Sequence, residues 1–380
     1  MLWLAMAGFV GSTEGGMING LLPAISDDMG VTMGQAGQVV LFASLAYAIG
    51  TPVISTLVGS IGRRRVLAGA ELTFAVCALL VALSPVFGWL LGSRVLLSMG
   101  AGMVTATALA TAAAISPPEQ RGRAIAVIAM GQSLAVLTGV PVATWIANHL
   151  DWRLDYFLLA GMAGLAATAL YFGIPRGILG DQQTMRERVS VLRNPGIVVA
   201  LLTTLLFYVA AYPPIVYVGA TIDASGIGRE LLPYVLLANG IGAVAASRTA
   251  GRMADAFGAP RAVALAVIAQ IAALLVYGAV MLAPMPLRFP LLFLSMAMIG
   301  YVGWGYWIAH ASLIAHLAPT SVPLAISLDL TALNIGVAIA AAIGGVIVDG
   351  VGPVALVLVS VPLAVLALVP ALWRPRVTAR

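Results

Sequence analysis

The chain has 380 residues, of which 61% are hydrophobic and 9% charged, and its mean hydropathy is +1.05. An ordinary soluble protein carries about 25% charged residues, so this composition excludes a soluble globular protein and indicates an integral membrane protein. All 19 basic residues are arginines and the formal net charge is +5, but no basic segment is interleaved with aromatic residues, so we predict no nucleic-acid partner.

Twelve apolar segments are long enough to cross a bilayer as helices, which takes about 20 residues. We number them as spans 1 to 12. The split between spans 3 and 4 depends only on Ser84-Pro85 and Gly88. The spans lie at 2–24, 36–58, 66–87, 88–114, 124–147, 154–174, 196–219, 229–252, 261–283, 288–315, 323–347 and 353–373. The predicted fold class is therefore all-α integral membrane.

A polar stretch at 175–195 divides the spans six and six. We predict an N-terminal half at 1–174, a linker at 175–195 and a C-terminal half at 196–380. A weak internal repeat supports a duplication, because Gly62 and Gly258, 196 residues apart, both precede arginines after a span. Fifteen of the 19 arginines fall on the side that holds both termini, which predicts cytoplasmic termini by the positive-inside rule.

Glu14 and Arg94 are the main functional candidates among the charged residues within spans of the N-terminal half. Glu14 is about 15 Å from either end of span 1, and Arg94 is about 9 Å inside span 4. An ionised carboxylate is costly in hydrocarbon, so Glu14 is predicted to face a cavity or a partner. We interpret Glu14 as a proton-coupling group and Arg94 as a partner that lowers its proton affinity. The alternatives are a structural carboxylate and an arginine that reaches the interface.

The other acidic residues are weaker candidates. Asp329, about two turns into span 11, is a third candidate for proton coupling, but solvation or the positive end of its helix explains it more simply. Glu71 in span 3 is interpreted in the same way, with Arg63 to Arg65 near enough to neutralise it. Asp27 and Asp28, at the end of span 1, are expected to be solvated.

Aromatic and polar side chains are candidates for a substrate-binding cavity. Trp304 and Trp307 share a face of span 10, which His310 joins three residues later. Such a face would stack on a flat or amphipathic compound, although hydrogen-bonded packing is the favoured role for His310. The pair Pro213-Pro214 predicts a locally broken span 7. The full candidate set is Gln132, Tyr208, Tyr212, Trp304, Trp307, His310 and Asn334.

The loop between spans 8 and 9 places Asp255 near Arg252 and Arg261, which predicts a charged latch. Its sequence, from Gly251 to Arg261, resembles the loop motif G-x-L-A-D-x-x-G-R-[RK] of the major facilitator superfamily. The counterpart between spans 2 and 3 has Gly59 at the acidic position, so the family's carboxylate is missing there. The resemblance implies gating roles for Arg63, Arg64, Arg252, Asp255 and Arg261; for Arg63 and Arg64 an orientation signal is an equal alternative.

The resemblance extends over essentially the whole chain. The segment from Leu137 to Pro141 is similar to the Gly-Pro motif of antiporters, which implies gating roles for Gly139 and Pro141. Glu14 to Ile25 and Ser327 to Gly345 resemble the drug:proton antiporter and sugar-efflux branch, which includes arabinose-efflux-like and chloramphenicol-exporter-like proteins. The family fold implies twelve helices in two pseudo-symmetric six-helix halves, with helices 1, 4, 7 and 10 around a central cavity.

These observations predict a proton-coupled antiporter that exports a small organic compound by alternating access across a bacterial inner membrane. We expect a monomer in the lipid bilayer, with the substrate and protons as partners. No catalytic residue, cofactor or metal is predicted, because the chain lacks lysine, and hence a Walker motif, and lacks H-E-x-x-H. The alternatives are an uncoupled facilitator or importer, and a non-transporting membrane sensor on the same scaffold.

Overall fold

The computed structural model describes residues 2–58, 61–117, 120–178 and 185–373, which form helices joined by short turns. The helices before the linker are α1 (Leu2–Met29), α2 (Met33–Leu57), α3 (Arg63–Ala82), α4 (Phe87–Ile115), α5 (Arg121–Leu134), α6 (Val140–His149) and α7 (Trp152–Gly173). Those that follow are α8 (Met185–Ser190), α9 (Pro195–Val216), α10 (Val218–Ser225), α11 (Leu232–Phe257), α12 (Ala259–Ala279), α13 (Met285–Leu317), α14 (Val322–Gly350) and α15 (Leu356–Leu372).

The helices account for all twelve predicted spans. A π-helical turn at Ala135–Gly139 joins α5 and α6 into one span, and α9 and α10 together form another. By length and composition, eleven helical segments of the described residues are able to cross a membrane, and α1 is less apolar than these. The predicted end of span 3 is wrong, because α3 ends at Ala82 and a short turn precedes α4.

Two groups of helices can be distinguished by their contacts. Helices α1 to α7 pack mainly on one another, and so do α9 to α15. We call them the N-terminal and C-terminal groups. The largest contacts between the groups are those of α2 with α14, and of α6 and the π-helical turn with α11. The two groups therefore meet along two seams.

The linker helix α8 marks one side of the bundle. Its residue Arg188 contacts Ser55 near the end of α2 and Ser327 near the start of α14, and Asn194 just after it contacts the end of α13. We call this the linker side. The turns that follow α1, α3, α6, α10, α12 and α14 lie at the opposite ends of the same helices, which we call the far side.

The predicted break in span 7 is present, but it follows the prolines. Helix α9 continues through Pro213 and Pro214 to Val216, and Tyr217 interrupts it with φ −103° and ψ 24°. The prolines lack the N–H groups that would bond to the carbonyls one turn earlier, so this helix is weakened there. The Tyr217 hydroxyl donates to the Ala341 carbonyl at 2.6 Å, which holds the break against α14.

A glycine permits the seam between α11 and the π-helical turn. A Cβ atom on Gly240 would lie 2.7 Å from both the Leu137 Cα and the Val136 carbonyl oxygen. Both are backbone atoms, which cannot rotate aside as a side chain can. Gly139, at the end of the same turn, approaches Thr13 of α1. The small residues thus let three helices pack closely around the π-helical turn.

We expect Gly240→Ala to lower the melting temperature of the purified protein, because its methyl group would collide with backbone atoms. The free energy of unfolding should fall by about 1–3 kcal/mol. Gly251→Ala is the matched control, since Gly251 lies on the same helix with no atom within 4 Å of an added Cβ. Equal melting temperatures of the two variants would show that the seam is not tightly packed.

Candidate functional site

A buried ion pair lies in the N-terminal group. Glu14, near the middle of α1, pairs with Arg94 of α4, and their side chains are only 4% and 2% exposed. The Arg94 Nη1 atom also donates to the Tyr156 hydroxyl of α7 at 3.1 Å. The two opposite charges neutralise each other, which allows both to remain ionised in an apolar bundle. The structure thus brings together the two N-terminal candidates for proton coupling.

Several buried polar atoms of α1 and α4, the two helices of this pair, are not hydrogen-bonded. Among the described residues, Thr13 Oγ1, Asn19 Oδ1 and Arg94 Nε have no hydrogen-bond partner and are inaccessible to solvent. An unsatisfied buried polar group costs about 1–3 kcal/mol. Buried donors and acceptors without a hydrogen bond favour a rearrangement of the hydrogen bonds in these helices, because any new hydrogen bond recovers part of that cost.

A second buried polar cluster lies between α9, α13 and α14. Thr204 donates to Asp329 Oδ1 at 2.6 Å, and Asp329 Oδ2 is 3.3 Å from His310 Nδ1. The Tyr306 hydroxyl is 3.0 Å from Thr204 Oγ1, and His310 Nε2 is 3.1 Å from the Ala200 carbonyl oxygen. Asp329 is 1% exposed and His310 fully buried. The favoured prediction of a solvated Asp329 is therefore wrong, because the side chain turns towards two neighbouring helices.

The aromatic residues of span 10 divide between two faces. Tyr306 stacks between Phe207, at 3.9 Å between ring centroids, and His310, at 5.0 Å. Trp304 and Trp307 are only half-buried and, in the described part of the chain, make no ring contact with His310. His310 stacks on Tyr306, four residues earlier on the helix, and a shared role of His310 and the two tryptophans in stacking a substrate stays a prediction.

The other predicted substrate-binding residues are more dispersed. Tyr208 is buried and Tyr212 half-buried, with 5.6 Å between their ring centroids. Gln132 is half-buried on α5. Asn334 is half-buried on α14 and donates to the Leu330 carbonyl at 2.9 Å. A common role in binding a substrate stays a prediction for these residues.

The predicted latch on the linker side is not formed in this conformation. Arg252, Asp255 and Arg261 are exposed at the turn between α11 and α12. No ion pair joins them within the part of the chain that the structure describes. Gly59, the departure from the family motif in the other loop, lies outside the described residues.

The arginines at the start of α3 are held by aromatic and backbone contacts. The Arg64 guanidinium lies 4.2 Å from the ring centroid of Tyr171, and the Arg63 N–H donates to the Ile178 carbonyl at 2.9 Å. Glu71 is 1% exposed, and its carboxylate oxygens have no hydrogen-bond partner among the described residues. The predicted neutralisation of Glu71 by direct contact with Arg63 to Arg65 is therefore wrong.

On the linker side, one cation connects both groups. Arg188 of α8 donates to the Ser327 hydroxyl at 2.7 Å and to the Ser55 hydroxyl at 2.9 Å. Its side chain is buried, and this burial lowers the pKa of the Arg188 guanidinium. Sequence reasoning missed this contact, because an arginine in a polar linker is explained by membrane orientation alone.

On the far side, Asp349 connects the groups. Located near the end of α14, it accepts hydrogen bonds from the Thr32 hydroxyl at 2.6 Å and from the Gly34 N–H at 2.9 Å. Both donors belong to the first turn of α2, whose positive end stabilises an anion. Asp349 therefore caps a helix of the opposite group.

Arg229 makes a second connection on the far side. It contacts both oxygens of Asp223, at 2.7 and 2.8 Å, and Asp27 at 2.5 Å. Its carbonyl accepts a hydrogen bond from Asn148 at 2.9 Å. The prediction that Asp27 and Asp28 are solvated is confirmed, because their side chains are 62% and 41% exposed. In addition, Asp27 pairs with Arg229, and Asp28 pairs with Arg153 at 2.8 Å.

A multi-helix membrane bundle with an ion pair buried inside it and polar contacts across its two groups defines a transporter-like architecture. The chain belongs to the Major Facilitator Superfamily, whose family model matches residues 4–277. The predicted superfamily and its twelve-helix fold are thereby confirmed. The chain is a multi-pass membrane transporter of this family rather than an enzyme.

Three comparisons support this assignment. The chain is 28% identical over 351 residues to the uncharacterized MFS-type transporter YbcL of Bacillus subtilis (strain 168), covering 92% of this chain and 88% of that protein. It is 30% identical over 257 residues to a chloramphenicol resistance protein of Streptomyces lividans, covering 66% of each. A bacterial homologue of the human lysosomal transporter Spinster, solved inward-facing and unoccupied, shares its fold with a TM-score of 0.72, 16% identity and 98% coverage of both chains.

We expect Arg94→Gln to destabilise the protein by about 3–5 kcal/mol, because it leaves the Glu14 carboxylate buried without a counter-ion. The double variant Glu14→Gln with Arg94→Gln should recover most of that loss, since it removes both charges. Thermal unfolding of the wild type, both single variants and the double variant gives the coupling energy. Additive effects of the two substitutions would contradict a direct ion pair.

We expect Asp349→Asn to shift the protein towards a conformation with its far side open, because an amide accepts the hydrogen bonds of Thr32 and Gly34 less strongly than a carboxylate. The loss should be about 1–2 kcal/mol, or about 5- to 30-fold in the ratio of conformations. Spin labels at Val86 and Leu282, exposed positions in far-side turns of the two groups, report that ratio as a distance distribution.

Asp151→Asn is the matched control for Asp349→Asn, since Asp151 is an exposed far-side acid whose contacts remain within the N-terminal group. The labelled chains carry Cys77→Ala, because Cys77 is the one cysteine in the sequence. An unchanged distance distribution in Asp349→Asn would mean that Asp349 does not hold the far side closed.

Proposed function

We propose that this chain is a proton-coupled antiporter that exports a small organic compound across the bacterial inner membrane. The observation that carries the proposal is the ion pair of Glu14 and Arg94 inside the bundle. A titratable group at this depth is expensive and is found in membrane proteins where protons or ions move. No other buried acid of the described residues has an arginine within ion-pair distance.

The pair couples proton binding to an exchange of partners. While Glu14 is ionised, its charge balances that of Arg94. When Glu14 takes a proton, the described residues still offer the permanent charge of Arg94 the Tyr156 hydroxyl and the nearby ring, whose centroid is 5.9 Å away. The bundle then lowers its free energy by a rearrangement that offers Arg94 another acceptor or water. Protonation of Glu14 in this way favours one conformation over the other.

Alternating access follows from the contacts between the groups. In this conformation Asp349 and Arg229 hold the far side closed, and we assign the linker side to the cytoplasm from the arginine distribution. Rocking of the groups would break the far-side contacts and open that side to the exterior. Arg63, Arg64, Gly139, Pro141, Arg252, Asp255 and Arg261 are proposed to gate this movement at its seams and linker-side turns.

We propose a flat, partly apolar compound as the substrate. Trp304, Trp307, Gln132 and Asn334 are half-buried, and we assign their aromatic and amide groups to the binding of this compound. A relative from Streptomyces lividans is named for chloramphenicol resistance, and chloramphenicol combines an aromatic ring with hydrogen-bonding groups. It is therefore the first compound to test.

We expect Glu14→Gln to abolish chloramphenicol exchange driven by a pH gradient in proteoliposomes, because a glutamine side chain cannot bind and release a proton. A pH-sensitive dye inside the vesicles records the accompanying proton flux, which should also disappear. Glu230→Gln, which neutralises an exposed acid, is the matched control and should retain both fluxes. Proton-driven exchange at the wild-type rate in Glu14→Gln would eliminate Glu14 as the coupling group.

A further inference from the structure

The linker contains one short segment with two different faces. It consists of α8 and the 3₁₀ turn Val191–Arg193, and we call it the linker segment. Its inner face holds Arg188 and Val191, which are buried. Val191 packs in an apolar cluster with side chains of α9, α13 and α14, and Arg188 bonds to α2 and α14. The linker segment is therefore fixed to both groups, and its outer face keeps a defined orientation.

The outer face of the linker segment combines cations with apolar side chains. Arg186, Val189, Ser190 and Arg193 are spaced by three and four residues, so they share one side of the segment, and Leu192 lies at its edge. Together they line an open hollow of about 580 Å³. Val189 and Leu192 are 54% and 38% exposed. A membrane-orientation signal requires only the arginines, so the exposed apolar side chains call for another explanation.

The two arginines of this face have no counter-ion in the part of the chain that the structure describes. On the far side, Arg153 and Arg229 are each paired with aspartates. No described carboxylate lies within ion-pair distance of Arg186 or Arg193, and Glu187 of the same helix is engaged in an interaction of its own. An anion from outside the chain can therefore balance both positive charges.

The linker segment lies where lipid headgroups are expected. Its residue Arg188 contacts Ser55, two residues before the end of α2, and Ser327, five residues after the start of α14. The ends of membrane-spanning helices lie near the border between the hydrocarbon core and the headgroups. The outer face, which is directed away from these helices, is thus at a suitable depth for a phosphate group.

Lipid also has an apolar surface to cover beside the linker segment. Ile49, Val53 and Leu57 follow one another at four-residue spacing along the linker-side half of α2, and all three are exposed. Such a stripe on one side of a membrane helix fits acyl chains. Ser55, which bonds to Arg188, belongs to the same part of α2. An acyl chain on this stripe would bring its headgroup close to the linker segment.

We propose that the outer face of the linker segment binds an anionic phospholipid of the cytoplasmic leaflet. Arg186 and Arg193 would hold its phosphate, since guanidinium groups match phosphate oxygens in charge and geometry. Val189 and Leu192 would contact the glycerol and the first methylene groups. Anionic lipids attract basic segments next to membrane helices. The bound lipid would brace the segment that joins the two groups, whichever compound the chain exports.

Native mass spectrometry of the purified full chain in detergent counts the lipids that stay bound. Phosphatidylglycerol and phosphatidylcholine with identical acyl chains are titrated separately. Each arginine beside a membrane strengthens the binding of anionic lipid about fivefold, so we expect Arg186→Gln with Arg193→Gln to weaken phosphatidylglycerol binding about 10- to 30-fold. Binding of phosphatidylcholine should be unchanged. Arg65→Gln with Arg176→Gln is the matched control, because it removes the same charge from exposed linker-side positions outside the segment.

A second pair of substitutions distinguishes a lipid from a free phosphate ion. Val189→Ser with Leu192→Ser keeps both arginines but removes the apolar contact, so it should weaken phosphatidylglycerol binding by about threefold or more. Inorganic phosphate should not displace the lipid, because it lacks that contact. Displacement by inorganic phosphate together with unchanged binding in the serine variant would identify a phosphate site and overturn the lipid site.

Hydrogen exchange of the full chain in nanodiscs tests the same site in a bilayer. Phosphatidylglycerol should slow the exchange of backbone amides in residues 185–193 of the wild type, compared with phosphatidylcholine alone, and should have no such effect in Arg186→Gln with Arg193→Gln. Equal exchange in both kinds of nanodisc, or an equal loss of lipid binding in the control variant, would overturn the inference. Equal melting temperatures of the variants exclude misfolding, and no readout depends on transport or on protons.

Discussion

The need to neutralise charge inside hydrocarbon constrains the rest of this structure. A carboxylate such as Glu14 is tolerated in α1 because Arg94 meets it from α4 and Tyr156 meets Arg94 from α7. The pair therefore fixes the mutual positions of three helices of the N-terminal group. In the function proposed above it also makes that group sensitive to protons, since adding one proton to the carboxylate leaves the Arg94 cation without a counter-ion.

The polar contacts between the groups on the far side are weaker than the buried ion pair inside the N-terminal group. Arg229 and Asp27 are 44% and 62% exposed, and ion pairs this exposed contribute about 0–1 kcal/mol. The hydrogen bonds that Asp349 accepts from Thr32 and Gly34 are also exposed to solvent. The seam of α11 against the π-helical turn is tight, but it is built from small residues that can act as a pivot. A few such contacts can hold one conformation without preventing the other.

Sequence reasoning found Glu14 and Arg94 because a charged residue within a long apolar segment is conspicuous, whatever it contacts. It also located all twelve spans, since their length is set by the bilayer. It missed Thr204, Arg188 and the bonds of Asp349, because each depends on a neighbour over 100 residues away in the chain. The face that a helix turns to a particular neighbour is fixed by tertiary packing, and an apolar membrane helix has little periodicity to reveal it.

The two buried acids differ in the partners that hold them. Glu14 pairs with Arg94, whose guanidinium is permanently charged. Asp329 accepts a hydrogen bond from Thr204 and lies 3.3 Å from His310 Nδ1. Both acids are almost fully buried, so each is held by side chains of neighbouring helices and not by water. A movement that separates these helices must therefore give each carboxyl group new partners, either water or the side chains of other helices.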